Sequence, residues 1–143
     1  MAHLPADIRA PAVLDSLHPL TDFVASCARR QGAAETRIRE IELVLEELLV
    51  NIFNYAYPDR PGDVEIVCSL DDAGRLLVEI ADEGIPFNIL SWSDPDLDAG
   101  IEERKIGGLG VFFVKQLVQE IRYRRDDGKN ILTLTIDSRP AAR

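Results

Sequence analysis

The chain has 143 residues, of which 46% are hydrophobic and 29% are charged, a composition typical of a single soluble globular domain. Its formal net charge of −9 disfavours unspecific attraction to nucleic acid or to anionic membranes. No segment approaches the roughly 20 apolar residues that cross a bilayer, and the first residues lack a cationic start followed by an apolar run. We therefore expect a cytoplasmic protein that binds neither nucleic acid nor membrane.

The apolar residues recur first at helical spacing and later in strict alternation. The predicted elements, in chain order, are a strand at 2–9, helices at about 13–30 and 35–57, strands at 64–70 and 75–82, a helix that opens at Gly107, and strands at 120–125 and 131–137. This order predicts one α+β domain over residues 1–143, with three helices on one face of a mainly antiparallel, five-stranded sheet. The tail, residues 138–143, is expected to be frayed.

The second predicted helix carries a polar stripe opposite its apolar face, formed by Glu40, Glu47, Asn51 and Asn54. Asn is a poor residue for a helix interior because its side chain competes for backbone hydrogen bonds. Its amide oxygen is a hard ligand of the kind that Mg²⁺ accepts, and Glu47, one turn before Asn51, can act as a base beside it. A solvated helix face has the same appearance, so the helix alone leaves both interpretations open.

The second strand of the predicted hairpin ends in a carboxylate. By parity, Asp82 points toward the apolar side of the strand, where an unpaired carboxylate is costly. A ligand with N–H groups, such as an adenine amino group, would remove that cost, and Gly84 would let the ligand approach the backbone. The alternative, favoured for this motif alone, is that Asp82 only caps the following turn.

A glycine-rich segment, Gly107-Gly108-Leu109-Gly110, opens the third predicted helix. Exposed amides at a helix N-terminus form a natural phosphate cradle, although such a segment can also be only a turn. The segment before it, 84–107, is longer than an ordinary connector, which is typical of lids, binding loops or disordered segments. Neither Rossmann nor Walker spacing is present, which excludes the familiar nucleotide folds that carry them.

Together the three segments resemble the GHKL ATP-binding superfamily, and most closely its anti-sigma-factor serine/threonine kinases. Residues 47–51 match the N box of that superfamily, residues 82–86 its first glycine box and residues 108–110 its second. The resemblance extends over residues 2–137, in the order that the superfamily requires. The chain departs from it at Tyr55, where many relatives have His, and at Pro86, where others have a second Gly.

The resemblance implies a role for each matching residue. Glu47 would be the general base or water-orienting carboxylate, Asn51 would hold Mg²⁺ with the phosphates, and Asp82 would bind the adenine amino group. Arg104 or Lys105 would contact the phosphates from the end of an ATP lid at about 88–107, and the sequence does not decide which. The implied nucleotide-binding residues are Asn51, Asn54, Asp82, Gly84, Pro86, Gly107, Gly108, Leu109 and Gly110.

The implied function is that of a serine/threonine protein kinase that uses ATP and Mg²⁺. It would sequester a sigma factor or similar regulator, phosphorylate an antagonist of that sequestration, and form a homodimer. The alternative is a non-catalytic partner-switching module in which ATP and Mg²⁺ only order the lid. A histidine-kinase catalytic domain or a larger GHKL ATPase is disfavoured, because the sequence offers no counterpart of a phosphoacceptor helix or of transducer domains.

Overall fold

The computed structural model describes residues 4–91 and 108–138. Its elements are β1 (Ala6–Pro11), α1 (Leu17–Arg30), α2 (Glu35–Tyr55), β2 (Asp63–Leu70), β3 (Leu76–Asp82), α3 (Gly108–Leu117), β4 (Glu120–Asp126) and β5 (Lys129–Ile136). The predicted order of elements and the α+β class are confirmed. The first strand lies later than the predicted range 2–9, because its pairing with β2 begins at Ala6.

The five strands form one sheet in the order β1-β2-β3-β5-β4, and every neighbouring pair is antiparallel. β3 and β5 are neighbours in space although α3 and β4 come between them in sequence. Their register places Asp82, at the end of β3, opposite Asn130, near the start of β5. The candidate site lies at this end of the sheet.

A two-residue turn joins β4 to β5. Asp127 and Gly128 both have positive φ, 52° and 76°, a conformation that Asp-Gly adopts readily and that matches the twist of the flanking strands. Because the turn is tight, the register of the hairpin is fixed, and Arg125 lies opposite Asn130. The turn therefore places two polar side chains beside the end of β3.

The core lies between one face of the sheet and the three helices. Burial alternates along β3, whose Leu76, Val78, Ile80 and Asp82 are all buried, so the carboxylate of Asp82 continues an apolar face as its parity predicts. Opposite it, α2 buries Leu45, Leu48, Leu49 and Ile52. Among residues 4–91 and 108–138, the helices include none with the length and apolar character needed to cross a membrane.

A fully buried arginine joins α2 to the ends of α3 and β5. Arg37 is 0% exposed, and its guanidinium donates to the carbonyl oxygens of Asp137 (2.9 Å) and Leu117 (2.6 Å), to Glu40 Oε1 (2.6 Å) and to Gln119 Oε1 (3.2 Å). Leu117 is the last residue of α3, so its carbonyl has no partner within the helix. Arg37 therefore fixes the C-terminal end of α3 against α2.

Candidate functional site

Asn51 is buried, with 2% of its surface exposed, whereas Asn54 on the same stripe is exposed. The Nδ2 group of Asn51 donates to the backbone oxygen of Glu47 at 2.7 Å and to Glu47 Oε2 at 2.8 Å. Both partners are acceptors, which fixes the orientation of the amide and leaves Oδ1 outside these two bonds. A solvated helix face explains Asn54 but does not explain Asn51.

The carboxylate of Glu47 lies against the first turn of α3. A β-carbon built on Gly110 would overlap the carboxyl carbon and both carboxylate oxygens of Glu47. Gly110 is the third residue of α3, where the positive end of the helix dipole favours a negative charge. The glycine thus has a packing role in this structure: it makes room for the side chain of Glu47.

Asp82 is buried, with 3% of its surface exposed. Its Oδ1 accepts a hydrogen bond from the backbone N–H of Gly84 at 2.9 Å and another from Asn130 Nδ2 at 2.8 Å. Burial raises the pKa of the Asp82 carboxyl above its usual value, and the two hydrogen bonds and Arg125 oppose that shift. Both the core-side position and the turn-capping bond considered from the sequence are therefore present, and both bonds use one carboxylate oxygen.

Sequence reasoning missed Asn130, which is 3% exposed and lies at the centre of the hydrogen bonds around Asp82. Its Nδ2 donates to Asp82 Oδ1 (2.8 Å) and to the carbonyl oxygen of Ile85 (2.7 Å). Its Oδ1 accepts from Phe87 N (3.1 Å), Tyr123 Oη (2.7 Å) and Arg125 Nη1 (3.1 Å). A signal was available, because alternation along β5 puts Asn130 on the same face as the buried Leu132 and Leu134.

The turn that follows Asp82 is held on several sides. The backbone N–H of Glu83 donates to Tyr57 Oη at 2.7 Å, and the carbonyl of Glu83 accepts from Arg60 at 3.0 Å. The carbonyl of Gly84 accepts from Arg125 Nη1 at 2.9 Å. A β-carbon on Gly84 would overlap the backbone of Ala56, so this glycine lets the turn approach the end of α2. Its contact with a ligand remains a prediction.

A small recess lies beside Asp82, between the end of α2 and the sheet. It is lined by Ile52, Asp82, Phe87, Ile89, Asn130 and Leu132. The recess has room for about one water molecule. One polar end and apolar walls suit a flat heteroaromatic ring, but Phe87 and Ile89 must move outward before a purine fits.

Several predicted residues on the phosphate side lie beyond this description. Arg104, Lys105, Gly107 and most of the predicted lid are outside the described residues, as is the tail from residue 139. α3 begins at Gly108, whereas the sequence predicted a helix that opens at Gly107, which lies outside the described residues, and the side chain of Leu109 is not described either. Pro86 is exposed on the turn after Gly84. Roles for these residues remain predictions.

Comparison with known proteins agrees with the motifs. The model of the histidine kinase-like ATPase domain matches residues 10–136. The serine-protein kinases RsbW of Bacillus cereus (strain AH820) and Bacillus anthracis are each 28% identical to this chain over 130 residues, which cover 88% of this chain and 81% of theirs. The corresponding protein of Bacillus mycoides (strain KBAB4) is 25% identical over the same length.

The fold is also similar to a solved structure, the histidine kinase domain from the Erythrobacter litoralis EL346 blue-light activated histidine kinase. The TM-score is 0.53 at 21% sequence identity, and the match covers 84% of this chain and 60% of that one. This likeness concerns the fold alone, and this chain spans about three-fifths of the length of that chain. Since the family model spans most of the sequence, the chain belongs to the histidine kinase-like ATPase domain family.

Proposed function

We propose that the protein is a serine/threonine protein kinase that uses ATP and Mg²⁺. The observation that carries the proposal is the Glu47 carboxylate, bonded to the buried Asn51 and packed on the first turn of α3. A carboxylate beside an amide oxygen at a helix N-terminus has the elements of a phosphoryl-transfer site. The serine-protein kinases RsbW, to which the chain is similar, support this reaction rather than transfer to histidine.

The adenine ring would enter the recess beside Asp82. Both hydrogen bonds to the Asp82 carboxylate use Oδ1, which leaves Oδ2 as the acceptor for the exocyclic amino group of the base. Asp82 is only 3% exposed, and a hydrogen bond to a largely buried carboxylate is stronger than one in water, so an amino donor has a favourable place here. Phe87 and Ile89 would then form apolar walls against the ring faces.

The triphosphate would extend from the recess toward Glu47 and the start of α3. Asn51 Oδ1 is the hard oxygen that fits Mg²⁺, because the two hydrogen bonds of that amide use only Nδ2. The metal, when bound, would neutralise charge on the phosphates. Backbone N–H groups at the start of α3 and Arg104 or Lys105 would supply further positive potential.

In the transfer step, Glu47 would accept the proton of a serine or threonine hydroxyl from a protein substrate. The hydroxyl oxygen would form a bond with the γ-phosphorus while the bond to the β–γ bridging oxygen breaks and ADP leaves. Asn51 would hold Glu47 Oε2, so that Oε1 faces the incoming hydroxyl. Positioning and charge neutralisation supply most of the catalysis in this type of chemistry.

The proposed protein partners follow from the resemblance. The kinase would sequester a sigma factor or an analogous regulator and phosphorylate an anti-sigma-factor antagonist, as a homodimer in the cytoplasm. The net charge of −9 suits a basic surface on such a partner. A pull-down from the host with and without Mg-ATP would identify the regulator, and analysis of the captured proteins would identify the phosphorylated residue.

The test of catalysis is Glu47→Gln, which keeps the shape of the side chain and removes the base. Phosphate transfer from labelled ATP to proteins of the host should fall at least 100-fold, while the ATP dissociation constant changes less than threefold. Glu46→Gln is the matched control, because Glu46 is exposed on the same helix. If wild-type protein binds ATP and E47Q still switches its partners normally, the chain is a non-catalytic partner-switching module instead.

A further inference from the structure

We propose that Asn130 is a positioning residue for base recognition: it holds one oxygen of the Asp82 carboxylate so that the other faces the recess as a fixed acceptor. The inference rests on the proposed function and extends it, because it assigns selectivity between purines to a residue on β5. A base with an exocyclic amino group at the recess is then accepted. A base with a carbonyl there, such as hypoxanthine, is rejected because two acceptors would meet.

The orientation of the Asn130 amide follows from its five hydrogen bonds. Its Nδ2 lies 2.8 Å from a carboxylate oxygen of Asp82 and 2.7 Å from the carbonyl oxygen of Ile85, and both atoms only accept. Its Oδ1 faces a backbone N–H and a guanidinium, which only donate, and the Tyr123 hydroxyl. A flipped amide would oppose donors with donors and acceptors with acceptors. Asn130 can therefore present only a donor to Asp82.

The same amide also holds the segment that closes the recess. It bonds the carbonyl of Ile85 on one side and the N–H of Phe87 on the other, at 2.7 and 3.1 Å. Asp82 and Phe87 both line the recess, so one side chain sets the polar end and one apolar wall. Asn130 is itself held by Tyr123 and Arg125 of β4, which makes the edge strand a support for the recess.

A purely structural role makes a different prediction from a positioning role. If Asn130 only stabilised the fold, its loss would weaken binding of every nucleotide triphosphate by the same factor. If it orients Asp82, its loss frees the carboxylate to rotate, and ATP loses more affinity than inosine triphosphate (ITP). These two ligands differ at the position where adenine carries its amino group and hypoxanthine a carbonyl, so the ratio of their affinities separates the two roles.

The experiment measures dissociation constants of Mg-ATP and Mg-ITP by calorimetry for the wild type, Asn130→Ala and Asn130→Ser. We expect the wild type to prefer ATP by at least tenfold and N130A to reduce that preference at least fivefold, with N130S between them. N130S also covers the case in which N130A does not fold. Tyr123→Phe is the matched control, since it removes a donor to Oδ1 while Nδ2 stays on Asp82, and it should keep most of the preference.

The pH profile gives a second readout. The Asn130 hydrogen bond lowers the pKa of Asp82, so in N130A the loss of ATP binding on acidification should begin at a higher pH than in the wild type. An unchanged ATP-to-ITP ratio and an unchanged pH profile in N130A overturn the role of Asn130 and leave the kinase proposal standing. Absence of nucleotide binding in the wild type overturns the kinase proposal itself.

Discussion

The carboxylate of Glu47 occupies the space that Gly110 leaves by having no side chain. The two residues lie on different helices, α2 and α3, so the glycine sets how closely the start of α3 approaches the proposed base. A glycine within a helix costs about 1 kcal/mol relative to alanine. The contact with Glu47 gives a physical reason to keep the glycine.

Gly110→Ala tests this relationship. The new methyl group would overlap the end of a flexible side chain, so we expect Glu47 to rotate away while the fold persists. Phosphate transfer should fall at least tenfold, with a change in melting temperature of only a few degrees. Gln116→Ala, on an exposed position of α3, is the control. A protein that gains the stability expected of alanine in a helix and keeps full activity would contradict the contact.

Asp82→Asn should reverse the selectivity of the recess. The donors Gly84 N and Asn130 Nδ2 would hold Oδ1 of the new amide, so its NH₂ group would face the recess in place of a carboxylate oxygen. We expect ATP to bind at least tenfold more weakly and ITP to bind more tightly than ATP. Calorimetry with both nucleotides measures this, and a variant that still prefers ATP would show that Asp82 does not read the base.

The same substitution has a predictable effect on stability against pH. Because burial raises the pKa of Asp82, the folded state binds this proton more readily than the unfolded chain does. Protonated Asp82 therefore contributes to the stability of the folded state, fully below the unfolded pKa of about 3.9. This contribution is lost as the pH rises through the raised folded-state pKa. D82N should melt at a higher temperature than the wild type at pH 7 to 8, by an amount that shrinks toward pH 4. A constant difference across that range would contradict this.

Removal of the buried guanidinium should destabilise the whole domain. Arg37→Met leaves the carbonyls of Leu117 and Asp137 and the Glu40 carboxylate without these donors. The loss of a buried, hydrogen-bonded charge typically costs about 3 to 5 kcal/mol, measurable by urea unfolding. Arg39→Met is the control, because Arg39 lies two residues later on the same helix and is exposed. This substitution should change the free energy of unfolding by less than about 0.5 kcal/mol. Equal effects of the two substitutions would refute the role of Arg37.

Tyr57→Phe should loosen the turn after Asp82. The hydroxyl of Tyr57 donates to the carbonyl of Asp63 at 2.6 Å and accepts from the N–H of Glu83 at 2.7 Å. Its removal should cost about 1 to 2 kcal/mol and speed amide hydrogen exchange at Glu83. The amides of Val78 and Ile80, inside β3, serve as the internal reference. They should remain more strongly protected from exchange than the amide of Glu83. Unchanged exchange at Glu83 would show that the hydroxyl does not hold the turn.

The fold was predictable because local patterns agreed with its tertiary arrangement. Alternating apolar residues identified β2, β3 and β5, and the turn between β4 and β5, Asp127-Gly128, has the composition typical of a two-residue hairpin. The exact start of β1 was not predictable, since pairing with β2 determines it. Helical spacing found α2 but could not decide whether Asn51 faces solvent, because the burial of one face of a helix depends on the tertiary packing around it.

The features of the fold and of the candidate site that escaped prediction are held by contacts between distant residues. Arg37 looks in sequence like any polar residue of a helix, and only the ends of α3 and β5 make it a buried donor. In the sequence, Asn130 resembles a turn residue because it lies close to Asp127-Gly128. Alternation along β5 nevertheless places it on the same buried face as Leu132. The order of the three motifs in the sequence identified Glu47, Asn51 and Asp82 as candidate site residues. Their chemical roles stay predictions.

The pairing of Asp82 with Asn130 joins residues 48 positions apart, and the second lies on the last strand. A ribosome makes the chain from its N-terminus, so the wall of the recess that Asn130 supplies is translated 48 residues after Asp82. A truncated product that stops before β5 would carry Glu47, Asn51 and Asp82 yet lack a formed recess. In the proposed function, nucleotide binding therefore has to wait until β5 has been synthesised and has paired with β3.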